Sequence, residues 1–148
     1  MKIIIDTREQ KPLWQISQKV RATKLEVGDY TTESLKDIAH IERKSAIDLY
    51  GSIIQGHTRF RNMFLRAKEL NIEVVVFVEC TESAFYNKVF DRGSTLNTKG
   101  ETLKKILSTM QEKYNFEIVW CTGREDMQMR AAHWLRQKEW EKGFRDKR

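Results

Sequence analysis

The sequence has little of what marks several classes of protein. Its 148 residues include one proline, seven glycines and two cysteines, which excludes collagen-like, low-complexity and disulfide-stapled proteins. The longest apolar run, residues 74–78, is too short to span a membrane, and the apolar residues 3–5 are too few for a signal peptide. We therefore expect an intracellular protein that is neither secreted nor in a membrane, located in the cytoplasm or nucleoid, or in the nucleus of a eukaryote.

Cysteine and histidine are too few and too scattered for a zinc site. Cys80 and Cys121 each follow an apolar run, so both are interpreted as buried, reduced, structural thiols. Charge is abundant: 27 Lys and Arg residues against 21 acids give a net charge of +6 and a pI near 9.4. This balance favours a polyanionic partner such as nucleic acid. Acids that face phosphate groups are then costly unless a cation binds them.

The hydrophobic pattern predicts a strand-rich start and then alternating helices and strands. The predicted strands are residues 2–5, 24–27, 38–42, 73–79 and 116–120, and residues 13–16 form a short strand or a turn. The predicted helices are 45–55, 58–70, 101–114 and 127–140, with Thr58 as a cap and Ile47 facing inward, while residues 80–100 show no clear pattern. This order predicts an α/β fold with a mixed central β-sheet flanked by helices on both faces. One domain, 1–142, precedes a basic tail, 143–148.

Glu42-Arg43-Lys44, at the end of the strand 38–42, is the most informative feature. Side chains alternate along a strand, so Glu42 and Lys44 point to one face and Arg43 to the other if the strand continues to residue 44. The carboxylate can hold a divalent cation, and the ammonium group can stabilise the attacking water and the developing charge of phosphodiester cleavage. A second acid, Asp29, follows Gly28 in a turn and lies near Glu42 if the strands form a hairpin.

Several nearby residues have two interpretations each. Asp6 ends the first strand and is either a cap or a site residue, and Arg8 either contacts phosphate, buttresses the carboxylates or is surface charge. Glu9 is interpreted as a structural partner of a basic residue. Arg43 either holds the site together or touches the DNA backbone. Asp48 either supports the site or complements the dipole of the following helix.

Three elements occur in order: Asp6-x-Arg8-Glu9, Gly28-Asp29 and Glu42-Arg43-Lys44-x-x-x-Asp48. Together they resemble the nuclease domain of the XPF/MUS81 (ERCC4-type) structure-specific endonucleases, a branch of the PD-(D/E)xK superfamily. The resemblance implies a restriction-endonuclease-like fold for residues 1–142. It also implies metal-dependent hydrolysis of phosphodiester bonds in branched, flap or fork DNA.

The resemblance implies a role for each matching residue. Asp29 and Glu42 match the metal-binding acids, and Lys44 matches the catalytic lysine. Asp6 and the backbone carbonyl of Arg43 are implied as further metal ligands. The whole implied catalytic set is Asp6, Arg8, Asp29, Glu42, Arg43, Lys44 and Asp48. Mg²⁺ or Mn²⁺ is the implied cofactor, since both prefer oxygen ligands and suit a phosphate substrate.

A basic helix after the signature is predicted to bind DNA. Arg59, Arg61 and Arg66 flank its apolar stripe, and the alternative interpretation is a solvated helix face. Gln55 and His57, in the break before this helix, are predicted to reach the substrate, as is Arg8.

By resemblance we expect a homodimer formed through the C-terminal helices, where Trp134 and Trp140 are either core or interface residues. The larger relatives carry a tandem helix-hairpin-helix domain after the nuclease domain, and here only a short basic tail follows. Branch preference would then come from the dimer mate or from a targeting partner protein. Two other functions stay open: a nuclease for ordinary duplex or single-stranded DNA, and a non-catalytic DNA-binding subunit. The second is disfavoured because every signature residue is present.

Overall fold

The computed structural model describes residues 1–55, 57–93 and 96–144. Its strands are β1 Ile3–Asp6, β2 Val20–Thr23, β3 Tyr30–Thr32, β4 Ala39–Lys44, β5 Glu73–Val78 and β6 Ile118–Trp120. Its helices are α1 Ala46–Ile54, α2 His57–Leu70, α3 Glu82–Tyr86, α4 Gly100–Tyr114 and α5 Arg124–Glu141. The predicted helix end at Gly56 and residues 145–148 of the predicted tail lie outside the described residues. None of these helices is long and apolar enough to cross a bilayer.

All six strands belong to one mixed sheet in the order β2-β1-β3-β4-β5-β6. β3 is antiparallel to both of its neighbours, β1 and β4, and the other adjacent pairs are parallel. Parallel neighbours need a crossover connection. The helices α1 and α2 join β4 to β5, and the connection from β5 to β6 contains α3 and α4. The predicted α/β fold with a mixed sheet is confirmed.

Alternation along β5 divides the core between the two faces of the sheet. Val74, Val76 and Val78 pack in a cluster with residues of α1, α2 and α4. Val75 and Phe77 pack on the other face with residues of α5. Because both faces are covered, β5 is apolar at every position from 74 to 78.

The two thiols lie on opposite sides of this sheet. Cys80 packs against the α1–α2–α4 cluster, whereas Cys121 is buried in the α5 cluster. Both are free, as predicted, and only Cys121 is fully buried. Burial raises the pKa of the Cys80 thiol and raises that of Cys121 to about 11, so neither is a reactive thiolate at neutral pH.

The predicted strand 24–27 was wrong, because the strand in this region is β2, Val20–Thr23. Leu25 and Val27 are both buried, so their spacing mimics the alternation of a strand. The segment is held by side chains instead of a neighbouring strand. The N–H of Leu25 donates to the Asp6 carboxylate at 2.8 Å, and the His40 ring bonds the carbonyl of Val27 at 2.7 Å.

Smaller predictions also failed at helix ends. Ile47, expected to face inward, is 62 % exposed, because α1 begins at Ala46 with Ser45 as its N-cap and buries Leu49 and Ile53 instead. α2 begins at His57, so Thr58 lies inside its first turn and is not a cap. Residues 13–16 contain no strand, and the five-residue α3 was missed since so short a helix shows no periodicity.

Candidate active site

The loop before β3 lies against the end of β4. Asp29 directly precedes β3, whose residue Tyr30 pairs with Ile41. The N–H of Asp29 donates to the carbonyl of Ile41 at 2.7 Å. Gly28 has a φ of +75°, and a Cβ there would lie 3.0 Å from the same carbonyl oxygen. Glycine therefore permits both the turn and the close approach that carry Asp29 to β4.

Asp29 and Glu42 form a half-buried pair of neighbouring carboxyl groups. Asp29 Oδ2 also accepts the backbone N–H of Arg43 at 2.7 Å. Burial raises the pKa of Asp29, and burial together with the charge of Asp29 raises the pKa of Glu42 well above 4.5. Two carboxylates in such a place repel each other, so the pair attracts either a proton or a cation.

Lys44 projects from the same face of β4 as Glu42, because the strand stays extended to residue 44. Its Nζ lies 3.9 Å from Glu42 Oε2. The same Nζ lies over the Phe60 ring of α2, 5.2 Å from the ring centroid. The cation–π contact and the ion pair fix the ammonium group beside the carboxyl pair.

Arg43 points to the opposite face and binds two acids. Its Nε and Nη2 donate to the Glu9 carboxylate at 2.8 and 2.9 Å, and its Nη1 donates to Glu79 at 2.8 Å. The Tyr30 hydroxyl also donates to Glu9, at 2.9 Å. Burial raises the pKa of Glu9, but the bonds from Arg43 and Tyr30 outweigh it and lower that pKa overall. Glu9 is thus the partner of a basic residue, as predicted, and Arg43 ties β4 to its surroundings.

Glu79 and Arg124 extend this network and were missed by the sequence reasoning. Arg124 Nη1 lies 3.7 Å from Glu79 Oε1. Its Nη2 donates to the carbonyl of Lys11 at 2.9 Å and also to the carbonyl of Pro12. An acid directly after a buried strand was a usable signal for Glu79. Nothing in the local sequence marks Arg124, whose acceptors lie more than a hundred residues away.

Asp6 is buried, but protein donors already engage its carboxylate. The Arg8 Nε donates to it at 3.0 Å, and the N–H of Leu25 donates to it at 2.8 Å. The Arg8 side chain is 64 % exposed and also donates to the Leu25 carbonyl, at 2.7 Å. The Asp6 N–H donates to the carbonyl of Asp29 at 2.8 Å. The two side chains therefore hold the loop that carries Asp29.

The carboxyl pair lacks a third side-chain ligand within the described part of the chain. There, no three Asp, Glu, His or Cys side chains form a group that could hold a metal. The structure brings Asp29 and Glu42 together and leaves Asp6 outside their group. The backbone carbonyl oxygen of Arg43 can serve as a further metal ligand. The N–H and C=O of an extended residue point to the same side, and the Arg43 N–H points at Asp29. Two carboxylates and one carbonyl are a donor set that suits Mg²⁺ or Mn²⁺.

The other predicted site residues lie at the rim or away from the carboxyl pair. Asp48 is exposed in the first turn of α1, where its N–H donates to Ser45 Oγ at 3.2 Å. This position fits the helix-dipole interpretation. The predicted DNA-binding residues at the α1–α2 junction and on α2 are all exposed: Gln55, His57, Arg59 and Arg61.

Comparison with known proteins identifies both a family and a fold. XPF from Aeropyrum pernix superposes with a TM-score of 0.70 and 18% sequence identity, over 93% of this chain and 65% of that chain. XPF from Aeropyrum pernix in a complex with DNA gives a TM-score of 0.68 and 18% identity, over 98% of this chain and 68% of that one. At this identity the likeness shows the fold.

The chain thus spans 65% of the length of the first of these solved structures. A search of the curated proteins finds no match. The ERCC4 domain model matches residues 5–134, a range that contains the carboxyl pair, Lys44 and the Arg43 network. Because that match covers most of the 148 residues, the chain belongs to the ERCC4 domain family.

Proposed function

We propose that the protein is a divalent-metal-dependent DNA endonuclease that hydrolyses phosphodiester bonds. Membership of the ERCC4 family of nucleases supports a DNA endonuclease. The observation that carries the proposal is the half-buried Asp29–Glu42 pair with Lys44 Nζ 3.9 Å from Glu42. A buried acid pair costs stability unless something binds it. A phosphate substrate and a divalent ion would use both the acids and the lysine.

The chemistry is divided among few residues. Asp29, Glu42 and the Arg43 carbonyl are the proposed ligands of Mg²⁺ or Mn²⁺. A bound ion of this kind supplies Lewis acidity to the phosphate and the attacking water. Lys44 orients that water and stabilises the negative charge that develops on the phosphate oxygens.

Three further residues of the predicted catalytic set have supporting roles in this proposal. Arg43 keeps the end of β4 in place, since it is bonded to Glu9 and Glu79. Asp6 holds the loop that carries Asp29, so we assign it to positioning and not to the metal. Arg8 supports Asp6, and its exposed guanidinium is available to a phosphate group.

We propose branched, flap or fork DNA as the substrate and an intracellular location. The motif resemblance supports the substrate class. The exposed cations of α2 support DNA binding beside the site, because Phe60 of the same helix contacts Lys44. Cutting of ordinary duplex or single-stranded DNA is the alternative that a substrate panel decides.

A homodimer formed through α5 is proposed as well. Met129 and Trp140 are 70% and 65% exposed. Their spacing of eleven residues places them about 20° apart around the helix, so both lie on the same exposed side of α5. A targeting partner protein is the other proposed source of branch preference.

The test is a cleavage assay with the Lys44→Ala variant. Labelled flap, fork, four-way junction, duplex and single-stranded DNA are incubated with Mg²⁺, Mn²⁺ or EDTA. We expect metal-dependent cutting that Lys44→Ala lowers by about a hundredfold or more, with folding and most DNA binding retained. Lys36→Ala, in the exposed turn at the other end of β4, is the control.

The outcomes separate the candidate functions. Wild-type turnover by Lys44→Ala would refute its catalytic role. Binding without cutting in any metal favours a non-catalytic subunit. Cutting of linear duplex or single strands alone keeps the chemistry and discards branch specificity.

A further inference from the structure

A groove beside the site runs between α2 and α4. It is a cavity of about 270 Å³, lined by His57 on α2 and by Lys105 and Lys113 on α4. No Asp or Glu of the described residues lines it. Its charged side chains, Lys105 and Lys113, are therefore of one sign and lie beside the apolar Ile106 and Met110. Such a lining suits an anion that contacts the two ammonium groups.

Some cations near the same helices and strands are paired with acids, whereas the two lysines of the groove are not. Arg66 lies within 3.5 Å of both Glu26 and Glu69, and Lys138 lies within 3.4 Å of both Glu73 and Glu141. Over residues 1–55, 57–93 and 96–144, no ion pair involves Lys105, Lys113 or His57. Lys113 Nζ lies 5.7 Å from the centroid of the Tyr114 ring, a contact that leaves its charge in place. The charge of the two lysines is therefore available to an external partner.

The groove begins close to the proposed catalytic residues. His57 lies one turn before Phe60 on α2, a rise of about 4.5 Å along the helix, and Lys44 Nζ contacts the Phe60 ring. Successive phosphates of one DNA strand lie about 3.4 Å apart along a duplex. A strand that leaves Lys44 therefore needs only a few phosphates to reach the groove.

The far end of the groove differs in charge. It adjoins a larger cleft of about 840 Å³ that shares Lys113 and Tyr114 with it. The charged lining of this cleft is mixed, since Asp37 and Glu73 lie there with Lys68 and Lys142. The part of the surface that is lined by basic residues without acids therefore ends near Lys113. The partly buried Tyr114 ring stacks on Phe64 at a centroid distance of 5.9 Å, and Lys113 Nζ lies 5.7 Å from its centroid. Since Phe64 already stacks on this ring, the groove favours contact with the DNA backbone over stacking with bases.

We infer that His57, Lys105 and Lys113 hold the phosphate backbone of the DNA arm that leads away from the cleaved bond. This inference rests on the proposed function, since it takes DNA as the substrate. The contact is independent of base sequence, and it extends the proposed DNA surface from α2 onto α4.

The experiment measures salt dependence of binding for the full chain in EDTA. Fluorescence anisotropy gives the Kd for labelled duplex and flap DNA between 50 and 200 mM KCl. For Lys105→Gln/Lys113→Gln we expect the slope of log K against log salt to shrink by about 1.8, and the Kd to rise about tenfold or more. Lys19→Gln/Lys36→Gln removes the same charge elsewhere and is expected to match wild type. Lys105→Arg/Lys113→Arg is expected to restore binding.

The results distinguish this inference from the proposed function. If the groove variant keeps the wild-type slope and Kd, or differs no more than the control does, the inference is wrong even where wild type cuts DNA. If the slope shrinks but wild type cuts nothing in any metal, the groove binds DNA and the proposed function fails. Loss of binding in the arginine variant also overturns the inference, because a phosphate contact needs the charge and not the lysine itself.

Discussion

On β4, Glu42 and Lys44 point to the proposed catalytic site, and Arg43 between them points to the opposite face. Glu42 and Lys44 face α1 and α2, whereas Arg43 faces the α5 side, where Glu9 and Glu79 bind it. The period of a strand is two, so inserting or deleting one residue here would exchange the faces. The spacing of the acid and the lysine is therefore as important as their identity.

Replacing Glu42 is expected to separate stability from metal binding. Burial raises the pKa values of Asp29 and Glu42, and the charge of Asp29 raises the pKa of Glu42 further. Their favourable contribution to folding is complete below the ordinary values of 3.8 and 4.5, and it is lost as pH rises through the raised values. In EDTA we therefore expect the unfolding free energy of wild type to fall as the pH rises through the raised pKa values. Glu42→Gln is expected to flatten this loss and, at pH 8, to raise Tm by a few degrees, or about 1 kcal/mol.

In the presence of metal we expect wild type to be more stable than Glu42→Gln, because a divalent ion keeps both carboxylates charged. Mg²⁺ at about 100 times its Kd stabilises wild type by about 2.7 kcal/mol, and Glu42→Gln is expected to gain little of this. Differential scanning calorimetry in EDTA and in Mg²⁺ measures both effects. Glu112→Gln, which changes an exposed acid on α4, is the control. An equal Mg²⁺ shift in all three proteins would exclude Glu42 as a ligand.

At the scale of elements, strands buried on both faces were the most predictable. β5 is one continuous apolar run, and β4 was placed to within two residues at its end. β2 was missed because Arg21 and Ala22 are exposed and its pattern is weak. The segment 24–27 was misassigned because its buried residues are held by Asp6 and His40, and such contacts are not visible in a local pattern.

Within the site, too, residues that belong to a local motif were predictable and residues held by distant contacts were not. Asp29, Glu42 and Lys44 are identifiable because each belongs to a short motif with a defined spacing. Arg124 is not, since its bond to the Lys11 carbonyl joins residues 113 positions apart. The sequence left the role of Arg43 open, and only the direction of its side chain favours the holding role. Sequence patterns report local geometry, and the supporting network is tertiary.

The turn before β3 provides a test at this scale. Gly28→Ala puts a Cβ 3.0 Å from the Ile41 carbonyl oxygen at a φ of +75°. We expect a loss of about 1–3 kcal/mol in unfolding free energy. The Mg²⁺ concentration for half-maximal cleavage is also expected to rise, because Asp29 moves with the turn.

Chemical denaturation and a Mg²⁺ titration of cleavage measure the two effects. The matched control is Gly51→Ala in α1, where an added Cβ meets nothing within 4 Å. That change is expected to stabilise the helix by about 0.5–1 kcal/mol and to leave the metal requirement unchanged. Similar results for the two variants would mean that Gly28 has no special role.

At the scale of the whole molecule, α5 has one side buried against the sheet and one side exposed. Met127, Ala131 and Leu135 are buried against the sheet, while Met129 and Trp140 are exposed. The Trp134 ring packs against the α5 cluster and holds Lys138 Nζ at 5.1 Å from its centroid. Of the two tryptophans, Trp134 belongs with the core and Trp140 with the exposed face.

The proposed dimer predicts a particle of twice 17.6 kDa. Sedimentation equilibrium at micromolar concentrations is expected to give that mass for wild type and a monomer for Met129→Glu, because a buried carboxylate is costly in an apolar interface. Ile16→Glu changes a side chain of similar exposure, 64%, just ahead of edge strand β2, and is expected to remain dimeric. A monomeric wild type would rule out this dimer.

The contacts of Arg43 also determine at what stage of synthesis the proposed active site can be held in place. The motif residues all precede Ala46 apart from Asp48, so the ribosome makes them early. The strand that pairs with β4 begins at Glu73, Glu79 follows it, and Arg124 comes only with α5. A nascent or truncated chain thus carries the complete nuclease signature without the partners that hold it in place. For the proposed nuclease, a chain without Glu79 and Arg124 is therefore expected to keep the signature residues and to lack the contacts that position them.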